Sequence, residues 1–129
     1  MINYNGWDRE YLENREHYQK LFDESMVKEY EGNTEKLEKQ IVDYTGRKYA
    51  VSCSSATDAL QFSLMAYGIG PGDQVMCSNF SWISTASCIS MVGAMPVFCD
   101  IDLDSYHMSL DSIKAMYNEG VKALIYTHL

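Results

Sequence analysis

The stretch YAVSCSSATDAL, residues 49–60, decides how this chain is expected to fold. Residues 49–53 form a short, mainly apolar run, which predicts a β-strand. Ser54 and Ser55 then predict a turn, and an apolar pattern with helical spacing begins at Ala56. The stretch therefore predicts a strand, a turn of small hydroxyl residues and a helix, in that order.

The start of this helix offers a place where an anion could bind. The first N–H groups of a helix have no partner within the helix, and the helix dipole is positive there. Because Ser54, Ser55 and Ala56 are small, a phosphate could approach the backbone closely. An ordinary Ser or Thr helix cap explains the same residues. This stretch alone leaves both interpretations open.

From residue 48 onward the chain alternates between strand-like and helix-like segments. Helices are predicted over residues 56–67, 82–92 and 110–117, and further strands over residues 74–77, 96–99 and 122–127. This alternation is typical of an α/β fold with a mostly parallel sheet and flanking helices. Ligands of such sheets bind at the carboxyl ends of the strands. The loops after residues 53, 77, 99 and 127 are therefore expected to face the site.

Residues 1–47 have a different character, because they are polar, charged and helical in pattern. Gly32 and Asn33 are expected to break the arm into two helices, with Thr34 capping the second and Gly46 ending it. The chain is thus divided into an N-terminal helical arm, 1–47, and a partial α/β domain, 48–129. One apolar stripe follows the first helix, with members spaced by three, four or seven residues: Trp7, Tyr11, Tyr18, Phe22 and Met26.

Composition excludes several classes of partner. The 129 residues contain 10 Lys and Arg against 18 Asp and Glu, a formal charge of −8. Such an acidic chain is not expected to bind nucleic acid or an anionic membrane. The N-terminus lacks the basic and apolar regions of a signal peptide, so a cytoplasmic location is expected. The cysteines lack metal-site spacing and are expected to be buried, reduced thiols: Cys53, Cys77, Cys88 and Cys99.

Three further features are candidates for a site. Trp82 follows the second predicted strand, where it could stack on a planar ring or pack in the core. The Asp-x-Asp-x-Asp run at residues 100–104 lacks the remaining ligands of a calcium loop, and a solvated turn that caps the next helix is expected instead. His128 ends the last predicted strand and so points toward the site, whereas His107 is expected at the surface without a partner.

Taken together, the segments between about residue 30 and residue 129 resemble the DegT/DnrJ/EryC1/StrS family of sugar aminotransferases, which use pyridoxal phosphate. The order and spacing of the matching pieces carry the resemblance, since each piece is weak alone. The pieces are GRKYAV at 46–51, SSATDAL at 54–60, GIGPGDQV at 68–75, FSWIST at 80–85, GAMPVFCDID at 93–102 and THL at 127–129.

The resemblance implies a fold, a cofactor and four site residues. The fold would be an incomplete large domain of the type I pyridoxal-phosphate-dependent transferase fold, preceded by a helical arm. Ala56 and Thr57 would hold the phosphate of pyridoxal 5′-phosphate through their backbone N–H groups, with the Thr57 hydroxyl adding a bond. Trp82 would stack on the pyridine ring, and His128 would line the sugar pocket.

The resemblance also implies what these 129 residues lack. The family's Schiff-base lysine, the carboxylate that pairs with the pyridine nitrogen and the smaller domain would all follow residue 129. Lys48 and Lys122 are expected at the wrong ends of strands, and Lys114 on a solvent face. No catalytic residue and no metal ligand are therefore expected here.

The function expected from the resemblance is that of a fragment of a nucleotide-sugar aminotransferase. The complete enzyme would move an amino group from an amino acid, glutamate, to a nucleotide-linked keto-sugar, and would act as a homodimer. The fragment would be inactive alone. Two alternatives stay open: a non-catalytic binding or interaction module derived from this fold, and a lysine-less relative of the dehydratase type.

Overall fold

The computed structural model describes residue 10, residues 12–27 and residues 32–128 of the chain. The chain divides into two compact units, Met1–Ser52 and Cys53–Leu129. The first unit contains helices α1 (Arg15–Val27) and α2 (Asn33–Thr45). Of the predicted apolar stripe, Trp7, Tyr11 and the side chain of Met26 lie outside the described residues, and Phe22 is exposed on α1.

The two ends of α2 are set by glycines. Gly46 adopts φ 67° and its N–H donates to the Val42 carbonyl, which confirms the predicted end of the helix. The prediction that Thr34 caps the helix is wrong. Gly32 stands at the N-cap with φ 105°, a conformation that glycine adopts without steric cost, and no side chain caps the helix. The helix therefore begins two residues earlier than a Thr34 cap would place it, at Asn33.

The strand predicted over residues 49–53 is not formed. The backbone there is irregular, and the side chains of Tyr49 and Val51 are exposed. A strand needs a neighbour for its N–H and C=O groups, and none of the described strands pairs with this segment. Instead, the N–H and hydroxyl of Ser52 donate to the Glu38 carboxylate at 2.7 and 2.9 Å. These bonds lower the pKa of Glu38.

The second unit is an α/β fold. Its elements are α3 (Ala56–Ala66), β1 (Gln74–Ser78), α4 (Ser84–Met91), β2 (Met95–Cys99), α5 (Leu110–Met116) and β3 (Val121–Ile125). The three strands are parallel and lie in the order β2-β1-β3. The predicted mostly parallel sheet with flanking helices is thus confirmed. The helix predicted from residue 82 begins only at Ser84, so Trp82 lies in the loop before it.

Helices cover both faces of the sheet. On one face, Val75 and Cys77 of β1 pack with Leu64 of α3 and with Cys88 and Ile89 of α4. On the other face, Met76, Cys99 and Met108 form a second cluster with Ile113 of α5. The chain runs from β1 to β2 through α4 and back past β1 to β3 through α5. Right-handed crossovers in opposite directions place their helices on opposite faces.

An extra residue in β3 adjusts which side chains reach each face. Gln74 pairs with Val121, but the next residue, Val75, pairs with Ala123. Lys122 is thus the additional residue of a β-bulge, which resets the alternation of side chains. Because of it, Val121 packs in the Met76 cluster while Ala123 packs in the Val75 cluster.

Three of the four cysteines behave as predicted. Cys77, Cys88 and Cys99 are buried and form no disulfide. Burial raises the pKa of the Cys77 thiol to about 11, so this thiol stays protonated at neutral pH. Cys53 is exposed, contrary to the prediction, because residues 49–53 do not enter the sheet. Among the described residues, no helix is long and apolar enough to cross a membrane.

Candidate functional site

The candidate site lies at the carboxyl edge of the sheet, where the strands end. After β1 the chain enters α4 on one face, and after β2 it enters α5 on the other. The connections that follow these two neighbouring strands therefore leave toward opposite faces of the sheet. In open parallel sheets, a crevice at such a point is the usual place for a ligand.

The first turn of α3 combines a helix cap with free backbone donors. The hydroxyl of Ser55 accepts a hydrogen bond from the Asp58 N–H at 3.2 Å, which is an N-cap. The N–H groups of Ala56 and Thr57 come one and two residues into the helix, where no intrahelical acceptor exists, and none of the described residues accepts from them. The two interpretations left open by the sequence are compatible, since the cap leaves two donors for an anion.

The serine hydroxyls of this turn bond to a carboxylate of the chain and not to an external anion. The hydroxyls of Ser54 and Ser55 both donate to Asp58, the latter at 2.9 Å. These two bonds lower the pKa of Asp58, and the bond from Ser54 has the larger effect. The carboxylate is therefore charged at neutral pH. The serine protons are therefore engaged, and the donors left for an anion are the backbone N–H groups.

A hydrogen bond joins the beginnings of α3 and α4. The Thr57 hydroxyl donates to the Ser84 hydroxyl oxygen at 2.8 Å, in a partly buried position. Ser84 was not singled out from the sequence. Its signal was weak, because a hydroxyl residue at a helix start is common and its partner is 27 residues away.

Trp82 precedes Ser84 by two residues in the chain, and its side chain is 78% exposed. Its carbonyl oxygen accepts from the Thr85 N–H at 3.0 Å, which fixes the backbone of Trp82 against the start of α4. The sequence allowed either ring stacking or core packing for this indole. The exposure disfavours core packing and leaves the ring available to a ligand.

The exit of β3 is tied to the same region. The hydroxyl of Ser81 lies 2.7 Å from that of Thr85 and 3.1 Å from that of Thr127. The next residue, His128, is exposed, and its ring centroid lies 5.0 Å from that of Tyr126 and 6.0 Å from that of His107. The prediction that His107 is a surface residue without a partner is wrong, because its ring is half-buried in this cluster.

The aspartates after β2 stabilise turns. The Asn79 amide donates to the Asp100 carboxylate at 3.0 Å and lowers the pKa of Asp100. Asp102 accepts from the N–H and hydroxyl of Ser105. The expected turn is present, but the expected helix cap is wrong, because Ser109 caps α5. Within the described residues, no group of three or more potential metal ligands occurs.

Comparison with known proteins identifies the family. A sequence model of the DegT/DnrJ/EryC1/StrS aminotransferase family matches residues 10–129. The chain belongs to this family. Relatives from the family include the UDP-2-acetamido-2-deoxy-3-oxo-D-glucuronate aminotransferase of Pseudomonas aeruginosa, 40% identical over 69% of this chain and 25% of the relative. The UDP-4-amino-4-deoxy-L-arabinose–oxoglutarate aminotransferase of Shewanella sediminis is 40% identical over 71% of this chain and 24% of the relative.

Solved structures agree with this fold. S. venezuelae DesV, solved in complex with a ketimine intermediate, superposes on 95% of this chain with a TM-score of 0.87 and 26% identity, over 34% of its own length. The PLP form of the Streptococcus pneumoniae sugar aminotransferase Spr1654 gives a TM-score of 0.74 and 30% identity, over 78% of this chain and 26% of its own. These values confirm the type I transferase fold. The chain spans about a quarter of the curated relatives that it matches.

The cofactor expected from the resemblance is confirmed for the family, since Spr1654 is known in forms with PLP and with PMP, the pyridoxamine phosphate. The residues of this chain fit the phosphate of such a cofactor. Two unpartnered N–H groups, at Ala56 and Thr57, open α3, and the side chain of Ala56 is only a methyl group, so the backbone is accessible. The exposed indole of Trp82 follows β1 at the same edge of the sheet.

Proposed function

We propose that residues 10–129 are the front part of the large domain of a nucleotide-sugar aminotransferase that uses pyridoxal 5′-phosphate. The observation that carries the proposal is the first turn of α3, which presents the free N–H groups of Ala56 and Thr57 in a chain of this family. Relatives that act on UDP-sugars support the substrate class. The oxoglutarate in the name of the Shewanella relative supports glutamate as the amino donor.

In this proposal each site residue has a binding task. The N–H groups of Ala56 and Thr57 hold the phosphate at the positive end of the α3 dipole, with the hydroxyl of Thr57 beside them. The indole of Trp82 stacks on the pyridine ring and fixes its plane. His128, held against Tyr126, lines the sugar pocket. When bound, the cofactor supplies the electron sink for transfer of the amino group to the keto-sugar.

Lys114 and Lys122 of the second unit do not lie where a Schiff-base lysine is needed, and Lys48 of the first unit is not desolvated. Such a lysine is activated by a desolvated or cationic environment at the site. Lys48 is exposed in the first unit. Lys114 is exposed on α5, and Lys122 is exposed at the beginning of β3, away from the carboxyl edge. The 129-residue chain is therefore proposed to bind cofactor without transaminating, and residues outside it would complete the enzyme.

Location and assembly belong to the same proposal. A cytoplasmic homodimer would suit an acidic chain with buried reduced thiols and exposed apolar side chains such as Phe62 and Met65 on α3. Nucleic acid and membrane are not proposed as partners, because the chain carries a formal charge of −8. A binding module and a lysine-less dehydratase-type relative stay as alternatives, and both would share the phosphate turn.

Equilibrium dialysis tests the cofactor site without relying on catalysis. Pyridoxamine 5′-phosphate and pyridoxamine differ only in the phosphate, and neither carries an aldehyde that could react with surface lysines. The unaltered chain is expected to bind the phosphorylated compound at least about tenfold more tightly, the value of one charge-assisted hydrogen bond or more. Equal affinity for the two compounds would contradict the proposed site.

A further inference from the structure

Thr57 and Ser84 share a single hydrogen bond, and this decides which hydroxyl proton is available. The Thr57 hydroxyl donates to the Ser84 oxygen at 2.8 Å. A hydroxyl has one proton, so while Thr57 keeps this bond it has none for a phosphate oxygen, which can only accept. The Ser84 hydroxyl donates to none of the described residues. While this bond is kept, only the Ser84 hydroxyl of the two has a proton free.

The position of Ser84 places this proton beside the phosphate turn. Its oxygen is in contact with the side chain of Thr57, whose own N–H opens α3. Ser84 is also the first residue of α4, so a second helix N-terminus adds positive potential at the same point. The side chain is half-buried, which strengthens a hydrogen bond to a charged group relative to one in water.

We propose that Ser84 donates the hydroxyl hydrogen bond to the cofactor phosphate, and that Thr57 is the positioning residue that orients it. This inference rests on the proposed function, because it concerns the same phosphate. It reassigns the bond that the resemblance gives to the Thr57 hydroxyl. The competing explanation is that the Thr57–Ser84 bond only stabilises the packing of α3 against α4.

The dialysis measurement with pyridoxamine 5′-phosphate and pyridoxamine separates these explanations. The quantity compared is the ratio of the two dissociation constants, which isolates the contribution of the phosphate. Ser84→Ala is expected to reduce this preference about tenfold, the effect of losing one hydrogen bond to a charged group. Ser84→Thr, which retains a hydroxyl, is expected to keep it. Ser87→Ala is the matched control, since Ser87 is half-buried on the same helix and its hydroxyl bonds to none of the described residues.

The positioning role of Thr57 is tested by comparing the single and double substitutions. Thr57→Val is expected to weaken the preference for the phosphorylated compound by a smaller factor than Ser84→Ala. Combining the two substitutions is expected to add little to Ser84→Ala, because Thr57 acts on the phosphate only by orienting the Ser84 hydroxyl. Full additivity of the two effects would contradict a shared role.

Three outcomes would overturn the inference. One contradicting result is that Ser84→Ala keeps the preference for the phosphorylated compound. Another is that it weakens the binding of both compounds equally and lowers the melting temperature. In either case the Thr57–Ser84 bond only holds α3 against α4, and the proposed function still stands. If the unaltered chain shows no preference, the phosphate turn fails and the proposed function fails with it. Should Ser84→Ala not fold, Ser84→Cys decides, since a thiol has similar size but is a poor donor and should lose the preference as well.

Discussion

Trp82 is proposed to stack on the cofactor ring, and its side chain is 78% exposed in the loop between β1 and α4. Trp82→Ala is expected to weaken binding of pyridoxamine 5′-phosphate by about fivefold or more, which corresponds to roughly 1 kcal/mol for an aromatic pair. Trp82→Phe should retain most of the affinity. Melting temperature should change little, since few contacts are lost. Unchanged affinity with a large fall in melting temperature would favour a core role.

Asp58 is expected to make the chain sensitive to acid. Its pKa in the folded chain lies below the ordinary value of 3.8, because Ser54 and Ser55 donate to its carboxylate. A carboxylate whose pKa is lower in the folded chain stabilises that chain at pH values above the pKa it has in the unfolded chain. This stabilisation is lost as the pH falls through the pKa of the folded state. The stability difference between the unaltered chain and Asp58→Asn should therefore shrink as pH drops below about 3.8.

Thermal unfolding between pH 7 and pH 2 measures this effect. Asp111→Asn is the matched control, because Asp111 lies in the first turn of α5 but accepts no hydrogen bond from the described residues. The control should show a smaller dependence on pH than Asp58→Asn. Parallel pH profiles for the two variants would contradict the role assigned to the Ser54 and Ser55 bonds.

At the residue scale the sequence could predict what depends on local pattern. The free backbone donors of Ala56 and Thr57 follow from a helix start with small residues, and the structure has them. The Thr57–Ser84 bond and the ring cluster of His107 and His128 could not be predicted this way. Both depend on how distant segments pack, which the periodicity of one segment does not encode.

Among the elements, the turn from α4 into β2 depends most clearly on one residue. Gly93 adopts φ 81°, and a Cβ placed there would lie 2.9 Å from Cγ of Pro71. Gly93→Ala is expected to destabilise the chain by about 2 kcal/mol or more, from backbone strain and this contact together. Gly68→Ala is the control. Its φ of 72° carries the strain, but nothing lies within 4 Å of the added Cβ, so about 1 kcal/mol is expected.

Urea unfolding of the two variants gives the comparison. The difference in unfolding free energy between Gly93→Ala and Gly68→Ala isolates the contact with Pro71. Equal destabilisation would show that Pro71 moves away at no cost, and would contradict the packing described for this turn.

The success of the element predictions depended on where each strand finds its neighbour. β1, β2 and β3 were predicted to within one or two residues, because each is a short apolar run and the three pair with one another. Residues 49–53 have the same local pattern but pair with no described strand, so they stay irregular. Local composition indicates that a segment can form a strand, and only the rest of the sheet decides whether it does.

For the whole molecule, cofactor binding and catalysis are expected to be separable. Pyridoxal phosphate followed by borohydride reduction should modify several exposed lysines to low extent, with no dominant position and no transamination of a keto acid. The reason is that Lys114 and Lys122 are exposed and lie away from the carboxyl edge of the sheet. Peptide mapping by mass spectrometry measures the modification. A single stoichiometric lysine accompanied by turnover would contradict the proposal.

The central claim, that the first turn of α3 holds the cofactor phosphate, is tested most directly by amide NMR. A ¹⁵N-labelled chain is titrated with pyridoxamine 5′-phosphate, and with pyridoxamine as control. The amide resonances of Ala56 and Thr57 are expected to move most with the phosphorylated compound and little with pyridoxamine. Binding that leaves these two amides unmoved while other residues shift would contradict it.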